Sequence, residues 1–275
     1  MEHVLDSALS LLETAVEVSG LVGATTETDM DRPQAGRSRR LRVTVFDYGA
    51  GNLHSLVKAL EFSGAQVRVD TDPRRAVRDC DALVLPGVGA FTPAAERLAV
   101  GLDAMRAALR DGLPCLGICL GMQLLFDASD EGPGAGLGVI AGRVTRLTAQ
   151  RVPQIGWNRL EAVSEPLLQY AALEVAYYAN SFVCRPANGG DVHVTSWSEH
   201  EGDRFPASVR VGNVVGTQFH PEKSSAPGVA FVTAFLVGAA QVRDARAASS
   251  GAASPSPSPA VSSAPSSASQ SVKQR

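Results

Sequence analysis

Residues 116–126 read LGICLGMQLLF, and the architecture of the chain turns on them. Pro114 to Ile118 is an apolar run with the look of a buried strand's end. From Gly121 an apolar stretch reads as a helix over 121–127. Cys119 falls on the corner between them, with Gly117 and Gly121 two residues to either side. A strand, a tight turn and a helix in direct succession are the opening of a βα unit.

The flanking segments repeat that rhythm. LRVTVFD (41–47) reads as a strand and Asn52 to Ser63 as a helix. QVRVD (66–70) alternates like a strand, DALVLPG (81–87) is a short apolar run, and 94–112 reads as one long helix closed by Gly112. Strands that are continuously apolar and alternate with helices indicate a buried parallel sheet. From residue 138 the pattern changes to short strand candidates separated by Gly turns: GVIAGRVTRL, YYANSFVC, DVHVTSW, FPASVRVG and NVVGTQFH. A helix over about 226–243 follows. The expected class is α/β, with a parallel core and an antiparallel C-terminal portion.

Composition sets the outer limits. The chain has 275 residues, 45% of them hydrophobic and 19% charged, enough apolar content for one sizeable core. A formal net charge of −3 gives no bulk attraction to nucleic acid or anionic membranes. No run of 18 uninterrupted apolar residues occurs, so no spanning helix is expected. The N-terminus carries Glu2, Asp6, Glu13 and Glu17 in place of a positive leader region. Four cysteines without a C-x-x-C pair fit a reducing cytoplasm better than a disulfide framework. Residues 1–40 read as a largely flexible extension with one amphipathic segment, 41–243 as the folded domain, and 244–275, rich in Ser, Ala and Pro, as a disordered tail.

The corner cysteine has the chemistry of a nucleophile. G-x-C-x-G has the form of G-x-S-x-G, in which a strained strand-to-helix turn exposes the reactive side chain and leaves the next N–H pointing at its target. A helix N-terminus also favours a thiolate. Most cysteines in apolar strands are packing, and Cys80, Cys115 and Cys184 are read that way. A thiol nucleophile needs a base and an orienting group. Of five histidines, His220 ends the apolar run NVVGTQF and precedes Pro221 and Glu222. Residues i and i+2 of an extended segment project to the same side, so Glu222 can fix the imidazole tautomer. Acyl transfer also requires oxyanion donors. The N–H of Leu120 is one candidate. The Gly-rich turn in LPGVGAF (85–91) offers a second, from Val88 or Gly89.

Together PGVGAF, GICLGMQ and QFHPEKS, in this order and spacing, resemble the class I (triad) glutamine amidotransferases. DYGAGNL (47–53), PQIGWN (153–158), FPASVR (205–210) and the lysine in HPEKSS narrow the resemblance to the glutaminase subunits of imidazole glycerol phosphate synthase, over about residues 41–240. The resemblance implies a flavodoxin-like sheet and hydrolysis of glutamine to glutamate and ammonia through a thioester on Cys119. It implies a triad of Cys119, His220 and Glu222 and an oxyanion hole of Val88 and Leu120. Substrate contacts would come from Gly89, Gln123, Glu131, Ser181 and Phe182. The implied partner is a (β/α)₈ cyclase that receives the ammonia in histidine biosynthesis, with Asn52, Tyr177 and Lys223 at the interface and ammonia gate. No metal and no cofactor are expected, since no ligand cluster or phosphate-binding loop occurs. The family pattern Phe-Val-His-Ser-Tyr is here Tyr178-Ala179-Asn180-Ser181-Phe182. A glutaminase subunit of another synthase, a cysteine hydrolase or peptidase, and a non-catalytic relative that kept the fold are the alternatives.

Overall fold

The computed structural model describes residues 39–49, 51 and 53–251. The amphipathic segment near the N-terminus, Asn52 and the tail beyond residue 251 lie outside these residues.

Strands β1 (Arg42–Phe46), β2 (Gln66–Asp70), β3 (Ala82–Leu85), β4 (Cys115–Ile118) and β12 (Val214–Thr217) pair in parallel in the order β12-β4-β3-β1-β2. Taken by order of appearance this is 2-1-3-4-5, a doubly wound sheet. β11 (Asp203–Val211) adds to β12 antiparallel, and β10 (Val194–His200) adds to β11 antiparallel. The parallel core with an antiparallel C-terminal portion is therefore as the sequence indicates.

Period-two alternation sends neighbouring side chains to opposite faces. On one face Val43, Val45, Val84, Leu116 and Ile118 pack against helix α1 (His54–Phe62) and the last helix, α7 (Ser225–Gly251). On the other, Phe46, Leu83, Leu85 and Cys115 pack against α3 (Phe91–Ala99) and α4 (Leu102–Arg110) through Leu98, Met105 and Leu109. By length and composition α7 is apolar enough to cross a bilayer. Its apolar side is spent on the core instead, where Phe231, Val232, Phe235 and Leu236 are buried. Each such side chain contributes about 1.5–3 kcal/mol.

Two smaller sheets complete the C-terminal half. β5 (Ala128–Ser129), β6 (Gly142–Arg146) and β9 (Phe182–Pro186) form one. β7 (Gln154–Arg159) and β8 (Val175–Asn180) form an antiparallel pair. Between them lies α6 (Pro166–Tyr170), started by Pro166 and by Glu165, whose carboxylate accepts the Leu167 N–H.

Several boundaries differ from the sequence reading. The expected helix over 94–112 is two helices parted at Gly101. A side chain there would collide with Pro73, 2.7 Å from its Cγ, in α2 (Pro73–Ala76). The expected 121–127 helix is a single turn, α5 (Leu120–Gln123), after which Leu137, Val139 and Ile140 donate back to the carbonyls that follow it. YYANSFVC is two strands parted at Ser181, and QIGWN is itself a strand. The last helix does not stop at 243. Residues 244–251, assigned from sequence to a disordered tail, continue α7 in an alanine-rich, helix-favouring stretch. The Arg243 and Arg246 side chains tie this end to the carbonyls of Arg39 and Asp111.

Candidate active site

The carboxyl ends of β3, β4 and β12 open on one edge of the sheet. Cys119 follows β4 directly and has φ 49° and ψ −103°, a strained combination for a side chain with a Cβ. Two glycines make the corner possible. A Cβ on Gly121 would lie 2.0 Å from the Leu85 carbonyl oxygen, and one on Gly117 would lie 2.7 Å from the Gly121 oxygen. The turn is pinned by the Cys119 N–H, which donates to the Thr217 carbonyl of β12 at 2.6 Å.

β12 leads to His220, which is 1% exposed. Its Nδ1 pairs with Glu222 Oε1 at 2.8 Å. Its N–H donates to the Tyr177 carbonyl at 2.9 Å, and its carbonyl accepts the Ser224 hydroxyl at 2.7 Å. Burial opposes charge on the imidazole, but the Cys119 sulfur and Glu222 beside it outweigh that effect and push its pKa up to about 10. The sulfur and Glu222 together favour the charged form of the ring. The structure brings Cys119, His220 and Glu222 together.

Around Cys119 lies a cavity of about 280 Å³, a volume suited to an amino-acid-sized molecule. Val88, Gly89, Leu120, Gln123, Glu131, Ser181 and Phe182 all border it. Among the described residues no group accepts from the N–H of Val88, Gly89 or Leu120. Glu131 already works locally, since its Oε2 accepts the Phe91 N–H at the start of α3 at 3.0 Å. Gln123 is buried and its Nε2 donates to the Phe182 carbonyl at 3.0 Å. Asn180 borders the cavity too. Its Nδ2 donates to the same carbonyl at 3.1 Å, and its buried Oδ1 has no partner among the described residues.

The remaining cysteines differ sharply from Cys119. Cys115 and Cys184 are completely buried, and burial pushes both thiols well up. Cys80 is partly buried with its thiol pushed up for the same reason. His200 pairs with the Arg151 carbonyl, and His193 closes a 3₁₀ turn; neither borders the cavity. Among the described residues no cluster of His, Cys, Asp or Glu could hold a metal ion.

Next to the cavity lies an apolar surface. On the outward face of the β7–β8 pair Ile155 is 69% and Trp157 55% exposed. Tyr177 stands edge-on to Trp157 at 6.1 Å, and Lys223 Nζ sits 5.9 Å from the Tyr177 ring. Lys223 borders the cavity as well; Tyr177 does not.

Two residues of the site escape the sequence reading. Gly87 faces Cys119 and His220: a Cβ there would lie 2.9 Å from His220 Cε1 and 3.1 Å from Cys119 Cβ. Gln218, fully buried, places its Nε2 3.4 Å from the Cys119 sulfur and accepts the Gln123 amide at 3.3 Å. A signal for Gln218 was present, since it stands two residues before His220 as Glu222 stands two after.

Comparison with known proteins agrees with this geometry. The model of the family described as glutamine amidotransferase class-I matches residues 44–238. The chain is 42% identical over 217 residues to the imidazole glycerol phosphate synthase subunit HisH of Halobacterium salinarum, covering 75% of this chain and 97% of that one. It is 44% identical to the HisH of Geobacillus thermodenitrificans, covering 70% and 94%. It is 42% identical to that of Thermus thermophilus, again covering 70% and 94%. Among solved structures, PurLQS of Thermotoga maritima superposes with a TM-score of 0.57 at 21% identity, over 73% of this chain and 99% of that one. A glutamine amidotransferase crystal structure gives 0.55 at 22% identity, over 71% and 98%. These last two share the fold. A strained cysteine elbow, a histidine–glutamate pair beside it and a family match over most of the described residues lead to one conclusion: the chain belongs to the class-I glutamine amidotransferases.

Proposed function

We propose that the chain is the glutaminase subunit of an imidazole glycerol phosphate synthase. It hydrolyses L-glutamine to glutamate and ammonia, and the ammonia passes to a (β/α)₈ cyclase subunit that makes imidazole glycerol phosphate and aminoimidazole carboxamide ribotide in histidine biosynthesis. The observation that carries this reading is Cys119 on its strained corner, with the His220–Glu222 pair against its sulfur.

The Cys119 thiolate attacks the side-chain amide carbon of glutamine. The N–H groups of Val88 and Leu120 receive the negative charge that develops on the amide oxygen. The His220 imidazolium gives its proton to the amide nitrogen, the C–N bond breaks, and ammonia leaves with a thioester in its place. Neutral His220 then takes a proton from water, which attacks the thioester and releases glutamate and the thiolate. Glu222 keeps the imidazole in one tautomer. Gly89, Gln123 and Glu131 hold the substrate, Glu131 through its α-ammonium group, and the backbone of Ser181 and Phe182 holds the carboxylate.

The partner docks on the face built by Ile155, Trp157 and Tyr177, and we assign Asn52, which lies outside the described residues, to the same interface by the family resemblance. An exposed tryptophan and a half-buried tyrosine beside a cationic side chain are the composition of an interface anchor. Lys223 and Ala179 connect this face to the cavity, so ammonia leaves toward the partner. We assign the amidotransferase domain to 41–243, with its last helix running on to Gly251. All four cysteines are free thiols, which supports a cytoplasmic setting.

The test is Cys119→Ala in complex with the cyclase. Synthesis from glutamine is expected to vanish while synthesis from added ammonium salt persists. Glutamine turnover that survived the substitution would overturn the assignment.

A further inference from the structure

Gln218 has no role in the steps above, yet its position is costly to maintain. It lies just after β12, fully buried, with its N–H donating to the Ala207 carbonyl at 2.9 Å. A buried primary amide needs partners for its donors and its acceptor. Here the acceptor takes the Gln123 Nε2–H at 3.3 Å, and a donor points at the Cys119 sulfur at 3.4 Å. The same Gln123 Nε2 also donates to the Phe182 carbonyl at 3.0 Å. One continuous chain of hydrogen bonds therefore runs from strand β9, through both glutamines, to the reactive sulfur.

The chemistry of the sulfur gives that chain a purpose. Cys119 is only 6% exposed, so a thiolate there has little water to solvate it. His220 supplies a donor, but it must surrender that proton when ammonia leaves. A carboxamide N–H stays protonated throughout the reaction. It can stabilise the thiolate in the free enzyme and again when the thioester breaks, after His220 has changed state.

We infer that Gln218 is a catalytic residue of this glutaminase: its amide N–H stabilises and aims the Cys119 thiolate, and its carbonyl links that sulfur through Gln123 to the substrate-binding strand β9. The inference rests on Cys119 being the nucleophile.

The experiment uses the full chain with Gln218→Met, which keeps length and volume without a donor, and Gln218→Glu, which keeps the shape and places an anion against the sulfur. Far-UV circular dichroism checks folding. The rate of iodoacetamide alkylation at Cys119 is followed against pH, with the modified residue identified by peptide mass spectrometry, and glutaminase kcat and KM are measured alongside. Gln218→Met is expected to raise the alkylation midpoint by about one to two pH units and to lower kcat by about ten- to a hundredfold with a smaller change in KM. Gln218→Glu is expected to raise the midpoint further; if the Met variant does not fold, Gln218→Leu, which also lacks a donor, carries the test in its place with the same expected rise. Midpoints equal to wild type overturn the inference while leaving the nucleophile intact. A wild-type chain that still turns over glutamine after complete alkylation at Cys119 overturns both. A variant that loses activity with an unmoved midpoint shows a packing role only, and also overturns the inference.

Discussion

Gly87→Ala puts the geometry of the site to a quantitative test. Gly87 does not occupy the left-handed region, so alanine carries no backbone penalty there, and the whole effect of the substitution is steric. Its Cβ would arrive 2.9 Å from His220 Cε1, 2.9 Å from the Ile118 carbonyl oxygen and 3.1 Å from Cys119 Cβ. Ordinary contact begins at 3.4 Å, so the imidazole must retreat by at least 3.4 − 2.9 = 0.5 Å. The ring is not free to do so. Its Nδ1 is held by Glu222 at 2.8 Å, and the residue's N–H and carbonyl are engaged by Tyr177 and Ser224. The Ile118 oxygen belongs to β4, in the middle of the sheet, and yields even less. Overpacking of this kind costs about 1–3 kcal/mol of stability. A misplacement near 1 Å costs a catalytic site about a hundredfold, so half that displacement projects to a loss of kcat/KM on the order of tenfold. Glutamate release reads the activity and urea unfolding reads the stability. The expected result is a small drop in the urea midpoint with a large drop in turnover. Turnover within twofold of wild type would refute the placement of Gly87 against the triad.

Two further outcomes follow from the same geometry. His220 has a folded-state pKa of about 10, raised above its ordinary 6.5. The stabilisation this brings is fully present below pH 6.5 and is lost as pH rises toward 10. Glu222→Gln removes one of the groups that raise it, so the decline of the thermal midpoint between about pH 7 and 10 is expected to flatten; an unchanged slope would count against the His220–Glu222 pairing. Trp157→Ala removes an exposed ring with little intramolecular support. Partner affinity is expected to fall by about 2 kcal/mol or more, roughly thirtyfold, at unchanged thermal stability, as measured by calorimetric titration with the cyclase.

Much of this was legible in the residues because local chemistry and global fold agree. The run of Val43, Val45, Val84, Leu116 and Ile118 could satisfy its strands only inside a two-faced parallel sheet, which the structure forms. Gly117 and Gly121 flag the corner by themselves, since only glycine clears the Leu85 and Gly121 carbonyls. What remained hidden depends on tertiary approach. The break at Gly101 exists because α2 passes over it, and nothing local to 94–112 announces that neighbour. α5 is one turn long because Leu137 and Ile140 return to cover its end after an intervening loop and strand. The contact of Glu131 with the start of α3 appears only once β5 and α3 are placed. Gln218 was within reach by alternation with His220 and Glu222. Its contact with the sulfur, however, depends on the β12–β4 register.

That register has a consequence for biosynthesis of the chain itself. The Cys119 corner hangs on the Thr217 carbonyl, and β12 lies between β4 and β11. A polypeptide still emerging from the ribosome carries its thiol before it owns the strand that braces it or the histidine and glutamine that contact it. The Cys119 thiol and the strand that braces it come from separate halves of the domain and meet where β12 lies between β4 and β11. A chain that stops short of β12 therefore lacks the Thr217, Gln218 and His220 contacts that surround Cys119.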